Sequence, residues 1–467
     1  NNETKYILPG FIDSHVHIES SMLIPSRFAR GAVRHGVVGV VCDPHEIANV
    51  LGIEGIDFMI ENAAKVPFKF YFGVPSCVPA TEYETSGFSI SYEDAEILFR
   101  LKNVTHLSEM MNYPGVINED QRIIRLLNLA NNLGKPIDGH APGLRGELLK
   151  KYIDAGITTD HEVISYEEGE EKIKNGMKIL IREGSAAKNF DALIDLLRHY
   201  PDKIMFCSDD KHPNDLLIGY IDNLCSRAVK NGIDLIDVLR AASYNPVIHY
   251  KLDVGLLQAG DPADFIVCDD LVNFKIKNTY VNGIEVYDGK SVNIKRIKEQ
   301  PFNHFVCDNI EEDDIKVKVR GNKINVIGIL DNSIYTERII SECKTEEGYV
   351  VSDLDRDILK IVVMNRYRKE KPVVGFVKNF GLKSGAVAST IAHDSHNIVC
   401  IGVDDFSIVN AIRKIIDIKG GIVYVSEVAK EIDMIKLPYA GLMTNQSIKK
   451  VSLDYRRIIN RLKRNGV

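Results

Sequence analysis

The chain has 467 residues, of which 26% are charged and 45% hydrophobic, and its formal net charge is −7. That length allows about three domains of roughly 150 residues, and the composition excludes a largely disordered chain. No apolar run approaches the ~20 residues of a membrane helix, and the acidic balance disfavours a nucleic-acid-binding surface. The eight cysteines are scattered without a C-x-x-C pair, which predicts reduced thiols and a cytoplasmic protein.

The first 250 residues alternate short β-type runs with longer amphipathic stretches such as Asp120–Leu133. The strands predicted from these runs are Tyr6–Val16, Val37–Cys42, Lys69–Pro75, Val104–Met110, Pro136–His140, Ile157–His161, Lys178–Arg182 and Ile204–Ser208. Their spacing of roughly 20–35 residues is that of a strand–helix unit. Eight such units predict a (β/α)8 TIM-like barrel over residues 1–250, with an open doubly wound sheet as the alternative.

The pattern changes after residue 250. Short strands with turn signals predict a small β-domain over residues 251–292. Charged loops, further β-like runs and a helix at Asp405–Ile418 predict a C-terminal α+β domain over residues 293–467. The basic stretch Lys449–Arg464 is interpreted as a solvated terminal helix, with nucleic-acid contact as the alternative. The predicted fold class is therefore α/β, a barrel with a small β-domain and an added α+β domain.

The strongest local signal is an H-x-H pair, His15 and His17, at the end of the first predicted strand. Residues i and i+2 of a strand face the same side, so both imidazoles project together. At the C-terminal end of a barrel strand they would lie where barrel enzymes keep their active sites. Two neutral imidazoles favour a transition metal over Mg²⁺ or Ca²⁺.

Other ionisable residues also end predicted barrel strands, and in a barrel they would converge on the same rim. These residues are Glu109, His140, His161 and Asp209. Asp210 is the rival of Asp209 at strand eight, but alternation with Cys207 favours Asp209. The convergence predicts a metal site.

Six ligands exceed the needs of one tetrahedral ion but suit two ions that share a bridge, for which the Glu109 carboxylate is the natural residue. Two such ions hold a bridging water and lower its pKa toward neutrality. Asp209 can then take the proton and return it to a leaving group. The set predicts a metal-dependent hydrolase.

Several longer stretches carry a resemblance to a known family. They are Pro9–Met22, Asp43–Val50, Glu109–Val116, Gly139–Gly143, Ser208–Pro213, Ala392–Asn397 and Pro438–Met443. On these stretches the chain resembles the adenine deaminase branch of the metal-dependent amidohydrolase superfamily. The P-G-F-I-D-x-H-x-H opening belongs to the whole superfamily, whereas the later stretches, including the C-terminal H-D-S-H-N, are specific to the branch.

The resemblance implies hydrolytic deamination of adenine, with water, to hypoxanthine and ammonia. A hydroxide bridging two ions would attack C6, and Mn²⁺ is the expected metal, with Fe²⁺ or Zn²⁺ as alternatives. It implies that His15, His17 and Asp209 bind one ion, that His140 and His161 bind the other, and that Glu109 lies between them. Hydantoinase-like members carry a carboxylated lysine at that bridge, and Leu107–Gly115 contains no lysine. The expected partner is free adenine rather than a nucleic acid or a membrane, and a homo-oligomer such as a dimer is expected.

Substrate contacts are predicted from residues just past the strand ends. Glu162 is expected to take part in catalysis. Glu19, His45 and Glu46 are expected to hydrogen-bond ring nitrogens or to shuttle protons, and each of the four has a structural role as its alternative. His393 and His396, in a polar run of the third domain, would cover the site or merely turn a loop.

Only eight residues precede Pro9, whereas family members usually begin with several dozen residues of β-structure. The small β-domain is therefore expected to lack its N-terminal strands. Two rival functions stay open. One is an amidohydrolase acting on another aminated heterocycle, cyclic amide or ureide, and the other is a metal-holding protein without turnover.

Overall fold

The computed structural model describes residues 5–331, 335–426 and 431–467. The chain forms two compact units. The first is drawn from the chain up to Ala48, Gly52–Glu82 and Phe88–Glu299. The second gathers Asn49–Leu51, Tyr83–Gly87 and Gln300–Val467, so it includes two short segments from the range in which the sequence predicts the barrel.

The first unit combines strands and helices in alternation. Its strands are β1 (Tyr6–Pro9), β2 (Phe11–His17), β3 (Val37–Cys42), β4 (Lys69–Val74), β5 (Val104–Met110), β6 (Ile137–Gly139), β7 (Thr159–Asp160), β8 (Lys178–Arg182), β9 (Ile204–Cys207), β10 (Asp209–Asp210), β11 (Phe265–Cys268), β12 (Ile276–Val281) and β13 (Ile284–Tyr287). Its helices are α1 (Pro25–Ala32), α2 (His45–Ala63), α3 (Tyr92–Phe99), α4 (Tyr113–Ile117), α5 (Gln121–Asn132), α6 (Gly146–Asp154), α7 (Tyr166–Lys174), α8 (Phe190–Leu193), α9 (Leu196–His199), α10 (Pro213–Ile218), α11 (Ile221–Lys230), α12 (Leu235–Leu239) and α13 (Asn245–Tyr250).

Strands β2 to β10 form a parallel barrel. Strands β2 to β6 pair in chain order, as do β7 to β9, and the Thr158 amide donates to the Ile137 carbonyl between the two sets at 2.9 Å. The eighth strand closes the ring, because β9 pairs with β8 while β10 pairs with β2, with Asp209 opposite Val16. Asp209 itself has φ +55°, at the point where this strand changes partner. The (β/α)8 prediction is confirmed over the open-sheet alternative, and all strand C-termini lie at one rim.

The first predicted strand, Tyr6–Val16, is wrong in one respect, because it is two strands. Residues Tyr6–Pro9 pair antiparallel with β11 in a small sheet of order β1-β11-β12-β13, and only β2 enters the barrel. The break falls at Gly10, where an added Cβ would lie 2.3 Å from Val38 Cγ1. The chain therefore crosses close to β3 at this point, and the small sheet does receive one strand from the N-terminal end of the chain.

The second unit is built on an antiparallel-rich sheet covered by a helix. Its strands are β14 (Val317–Lys318), β15 (Lys323–Ile329), β16 (Thr336–Glu342), β17 (Lys344–Glu346), β18 (Tyr349–Val351), β19 (Ile358–Met364), β20 (Val373–Lys378), β21 (Ala386–Ser389), β22 (Ile398–Gly402), β23 (Gly421–Ser426) and β24 (Glu431–Lys436), and its helices are α14 (Asp405–Ile418) and α15 (Ile448–Arg464). The larger sheet has the order β16-β15-β20-β19-β22-β21-β23-β24.

Two predicted helices of the second unit are present. Helix α14 has the predicted bounds, begins with the Asp404 side chain accepting from the Ser407 amide, and buries Ile408 and Ile412 in the core. Helix α15 buries a stripe of apolar residues, and Arg457 and Arg461 on it pair with Asp433 of β24 at 2.8 and 2.5 Å. Among the described residues, no helix combines the length and apolarity that crossing a membrane requires.

Candidate metal centre

Six ionisable residues meet at the C-terminal rim of the barrel. They are His15 and His17 on β2, Glu109 on β5, His140 after β6, His161 after β7, and Asp209 on β10. Five of the six side chains are almost completely buried, and His140 is 27% exposed. The period-2 geometry of each strand end and the closure of the barrel bring them together from a span of nearly 200 residues.

One half of the cluster is formed by the H-x-H pair and two carboxylates. The Nε2 atoms of His15 and His17 lie 3.2 Å apart. Asp209 Oδ1 lies 3.5 Å from the first and 3.1 Å from the second. Glu109 Oε1 lies 3.3 Å from His17 Nε2. Four donor atoms therefore lie close together, with His17 Nε2 within 3.3 Å of each of the other three.

The other half uses the second oxygen of Glu109. Its Oε2 lies 2.5 Å from His140 Nδ1 and 3.2 Å from His161 Nε2. One carboxylate thus contacts histidines of both halves through different oxygens. This is the arrangement expected of a bridging ligand.

The carboxylates of the cluster stabilise positive charge on His17 and His140. Burial opposes ionisation of Glu109, yet the charges and hydrogen bonds of the histidines, His140 foremost, lower its pKa well below the usual value. Burial likewise opposes protonation of His140, but the Glu109 carboxylate raises its pKa to about 9. The pKa of His17 is raised in the same way, against burial, by Asp209 and Glu109. Buried carboxylates that hold protons on their neighbours in this way also suit a bound cation.

The donor set fits divalent transition metals. Ligands about 2.0–2.2 Å from a tetrahedral ion lie roughly 3.3–3.6 Å from one another, and the separations of 3.1–3.5 Å around His17 and Asp209 are close to that range. Imidazole nitrogens with carboxylate oxygens are the ligands of zinc, iron and manganese sites. The residues present therefore fit a metal centre.

A further pair adjoins this centre on the side of β3. His45 Nδ1 lies 3.2 Å from Asp43 Oδ2 and 3.7 Å from Glu109 Oε1. The backbone carbonyl of Asp43 lies 3.2 Å from His17 Nδ1 and can fix the orientation of that ring. The sequence interpretation assigned no role to Asp43, although it directly follows a barrel strand.

The two aspartates of strand eight have different partners. Asp209 faces the histidines, as described, whereas Asp210 Oδ1 accepts from the Ser20 hydroxyl at 2.5 Å. Donor atoms of His17, Asp209 and Asp210 still lie within 4.8 Å of one another. Asp210 is thus beside the cluster, and Asp209 is within it.

The predicted substrate residues Glu19, Glu46 and Glu162 are buried around the same rim. Glu19 accepts from the Ile47 amide at 3.1 Å, and burial together with the nearby Glu46 carboxylate raises its pKa to about 8. Glu162 Oε1 lies 3.6 Å from His161 Nε2 and 3.7 Å from His140 Nδ1.

His393 and His396 belong to the second unit, where they precede β22. Their ring centroids lie 5.5 Å apart, His396 is fully buried, and the side chain of His393 is 41% exposed. Their contact with substrate stays a prediction.

Arg182 is a site residue that the sequence interpretation missed. It is the last residue of β8, the seventh barrel strand, and its guanidinium contacts both Glu162 and Asp209. The rule that predicted the six cluster residues, an ionisable residue at the C-terminal end of a barrel strand, would also have predicted Arg182.

Comparison with known proteins agrees with this architecture. Residues 6–286 match the amidohydrolase family, and residues 333–467 match the adenine deaminase C-terminal domain. An adenine deaminase of Parabacteroides distasonis is 49% identical over 463 residues, which cover 99% of this chain and 85% of the relative. An adenine deaminase of Sulfurovum sp. is 52% identical over 450 residues, covering 96% and 83%. A solved β-aspartyl dipeptidase from Fervidobacterium islandicum AW-1 is similar at 20% identity and a TM-score of 0.47, covering 62% of this chain and 85% of its own.

The chain therefore belongs to the metal-dependent amidohydrolase family and, within it, to the adenine deaminases. The resemblance inferred from the motifs is confirmed.

Proposed function

We propose that the protein catalyses the hydrolytic deamination of adenine to hypoxanthine and ammonia. The observation that carries the proposal is the buried six-residue cluster with Glu109 between its halves, in a chain 49–52% identical to proteins named adenine deaminase. A zinc deaminase of nucleic-acid bases uses a different pattern, H-x-E with P-C-x-x-C, and the sequence contains no C-x-x-C pair. Free adenine is thus the proposed substrate.

Two divalent ions fit the donor set. His15, His17 and Asp209 would hold one, His140 and His161 the other, and Glu109 would contact both. When bound, such a pair supplies a water nucleophile near neutral pH and polarises the atom under attack. We propose Mn²⁺ as the physiological metal, because carboxylate oxygens suit manganese, with Fe²⁺ or Zn²⁺ as alternatives that the imidazole nitrogens also suit.

The protein's own residues are proposed to transfer the protons during the reaction. The water oxygen bonds to C6 of adenine and the C6–N bond breaks, while one water proton passes to the amine and the other ends on the hypoxanthine ring. We propose that Asp209 transfers the proton that reaches the amine, because its Oδ1 lies within the cluster beside the Nε2 atoms of His15 and His17. Ammonia then leaves as a neutral molecule.

Purine binding is assigned to the polar residues around the rim. Glu19, His45 and Glu46 are proposed to hydrogen-bond the ring nitrogens, because all three are buried just past the ends of β2 and β3 and the site needs a few fixed polar groups. Glu162 is proposed to assist proton transfer next to His140 and His161. His393 and His396 are also proposed to contact the substrate.

The test is ammonia release from adenine by protein reconstituted with Mn²⁺. Glu109→Gln should lose at least about a hundredfold in kcat, because an amide cannot bridge two cations as a carboxylate does. Glu285→Gln is the matched control. Glu285 Oε1 accepts hydrogen bonds from Asn278 and Tyr280 in the small β-sheet, each at 2.8 Å, away from the cluster.

Release that only Glu109→Gln abolishes supports the proposal. No release from adenine by a protein that holds two Mn²⁺ ions would refute it, and the same assay on other aminated heterocycles and cyclic amides would then identify the substrate class. We also propose that the protein is cytoplasmic and that it forms a homo-oligomer. Light scattering after size-exclusion chromatography would give the mass of that oligomer.

A further inference from the structure

Arg182 occupies the end of the seventh barrel strand, the position between the strands that carry His161 and Asp209. Its side chain is 7% exposed. Its backbone amide donates to Asn189 Oδ1 at 2.7 Å, and Asn189 Nδ2 donates in turn to the carbonyls of His161 and Val163 at 3.0 Å. Both the backbone and the side chain of this residue are therefore anchored at the rim.

The guanidinium joins two carboxylates from the strand ends on either side of its own strand. Its two terminal nitrogens donate to the two oxygens of Glu162, with NH2 to Oε2 at 2.9 Å, in the bidentate geometry typical of arginine. The same NH1 donates to Asp209 Oδ2 at 2.6 Å. One cation thus spans strands six and eight of the barrel.

This contact divides the two oxygens of Asp209 between different partners. Oδ2 is held by Arg182, so Oδ1 is the oxygen that faces His15 and His17 at 3.5 and 3.1 Å. Without the guanidinium, Asp209 Oδ2 loses its hydrogen bond, and the Asp209 and Glu162 carboxylates repel each other across the gap. The geometry of the first half of the metal centre therefore depends on a residue that is not itself a ligand.

We propose that Arg182 is a positioning residue, which fixes Asp209 with one oxygen toward the histidine cluster and holds Glu162 beside His140 and His161. This inference rests on the deaminase function proposed above for its kinetic consequences, but its effect on metal binding is independent of the substrate. A salt bridge with only a structural role would change the stability of the barrel and leave the metal affinity unchanged.

The test compares Arg182→Gln and Arg182→Lys with Arg227→Gln. Arg227 is a matched control, because it also joins two carboxylates of the first unit, Glu183 at 2.9 Å and Asp191 at 2.8 Å, but contacts none of the six cluster residues in this way. The readouts are Mn²⁺ bound per chain in equilibrium dialysis at graded free Mn²⁺, melting temperature, and kcat and KM with adenine.

Removing a group that orients a metal ligand typically costs 10–100-fold in metal affinity or activity. We expect Arg182→Gln to weaken the affinity of one Mn²⁺ by that factor and to lower kcat by a similar factor at saturating metal, with KM changed less than about threefold. Arg182→Lys keeps the charge but not the fork, so it should lie between Arg182→Gln and the unaltered protein. In the double variant Arg182→Gln with Asp209→Asn, the fold-loss in Mn²⁺ affinity should be smaller than the product of the two single-variant fold-losses, because both substitutions remove the same contact.

The proposal would be overturned if both Arg182 variants had an Mn²⁺ affinity and a kcat within about twofold of those of Arg227→Gln. Losses that multiply in the double variant would also overturn it. If Arg182→Gln does not fold, Arg182→Lys decides, because it preserves the buried charge. If the unaltered protein binds Mn²⁺ but releases no ammonia from adenine, the proposed function fails, while the dialysis still decides the role of Arg182.

Discussion

Lys172 provides a sharp test of how the barrel rim is held together. It lies on α7, its side chain is fully buried, and its Nζ donates to Asp160 Oδ2 at 2.8 Å, Glu168 Oε1 at 2.6 Å and the Ala141 carbonyl at 2.8 Å. Burial opposes the charged ammonium, yet the two carboxylates raise its pKa above the ordinary value. Asp160 and Ala141 directly adjoin His161 and His140, so this one ammonium connects the strand ends that carry both histidines.

Lys172→Met should destabilise the barrel strongly. The substitution keeps much of the volume but leaves the two carboxylates without their buried cation. Removing one partner of a buried ion pair costs about 3–5 kcal/mol. For a barrel of about 250 residues, each kcal/mol lowers the melting temperature by about 2 °C, so the barrel transition should fall by about 6–10 °C.

Lys174→Met on the same helix is the control. Lys174 also pairs with a glutamate four residues earlier, Glu170 at 2.8 Å, but its side chain is 59% exposed. Exposed pairs of this kind contribute little to stability, so the melting temperature of Lys174→Met should fall by no more than about 1 °C. The assay is calorimetry of both variants at pH 7 with equal metal. If Lys172→Met melts within about 2 °C of Lys174→Met, the reasoning from burial is wrong.

Two further predictions concern metal and acid. Removal of metal by a chelator should lower the barrel melting temperature and stop ammonia release, and added Mn²⁺ should restore both. The reason is that a ligand at a hundred times its Kd stabilises the folded state by about 2.7 kcal/mol. An unchanged melting temperature after verified metal loss would contradict this prediction. Burial lowers the pKa of His249 to about 3, so its contribution to stability is present above pH 6.5 and is lost as the pH falls toward 3. Between pH 7 and pH 5, the free energy of unfolding measured in urea should therefore fall by about 1–2 kcal/mol less for His249→Asn than for the unaltered protein, after a discount for the partial exposure of the ring. Equal losses would count against a neutral, partly buried imidazole.

Much of this architecture could be read from local pattern. Short apolar runs at strand–helix spacing predicted the barrel strands, and one apolar stripe predicted α14 with the bounds it has. The proposed ligand set followed from one further rule, that functional side chains lie at the C-terminal ends of barrel strands. Such features are encoded within windows of a few residues, so a sequence alone determines them.

The tertiary structure decided what depends on contacts between distant segments. Tyr6–Val16 reads as one strand, but pairing of Tyr6–Pro9 with Phe265–Cys268 divides it at Gly10. The division of Asp209 between the histidines and Arg182 exists only because barrel closure brings β10 next to β2 and the end of β8. Local periodicity does not determine which oxygen of a carboxylate faces which neighbour, because the orientation depends on contacts with groups far apart in the chain.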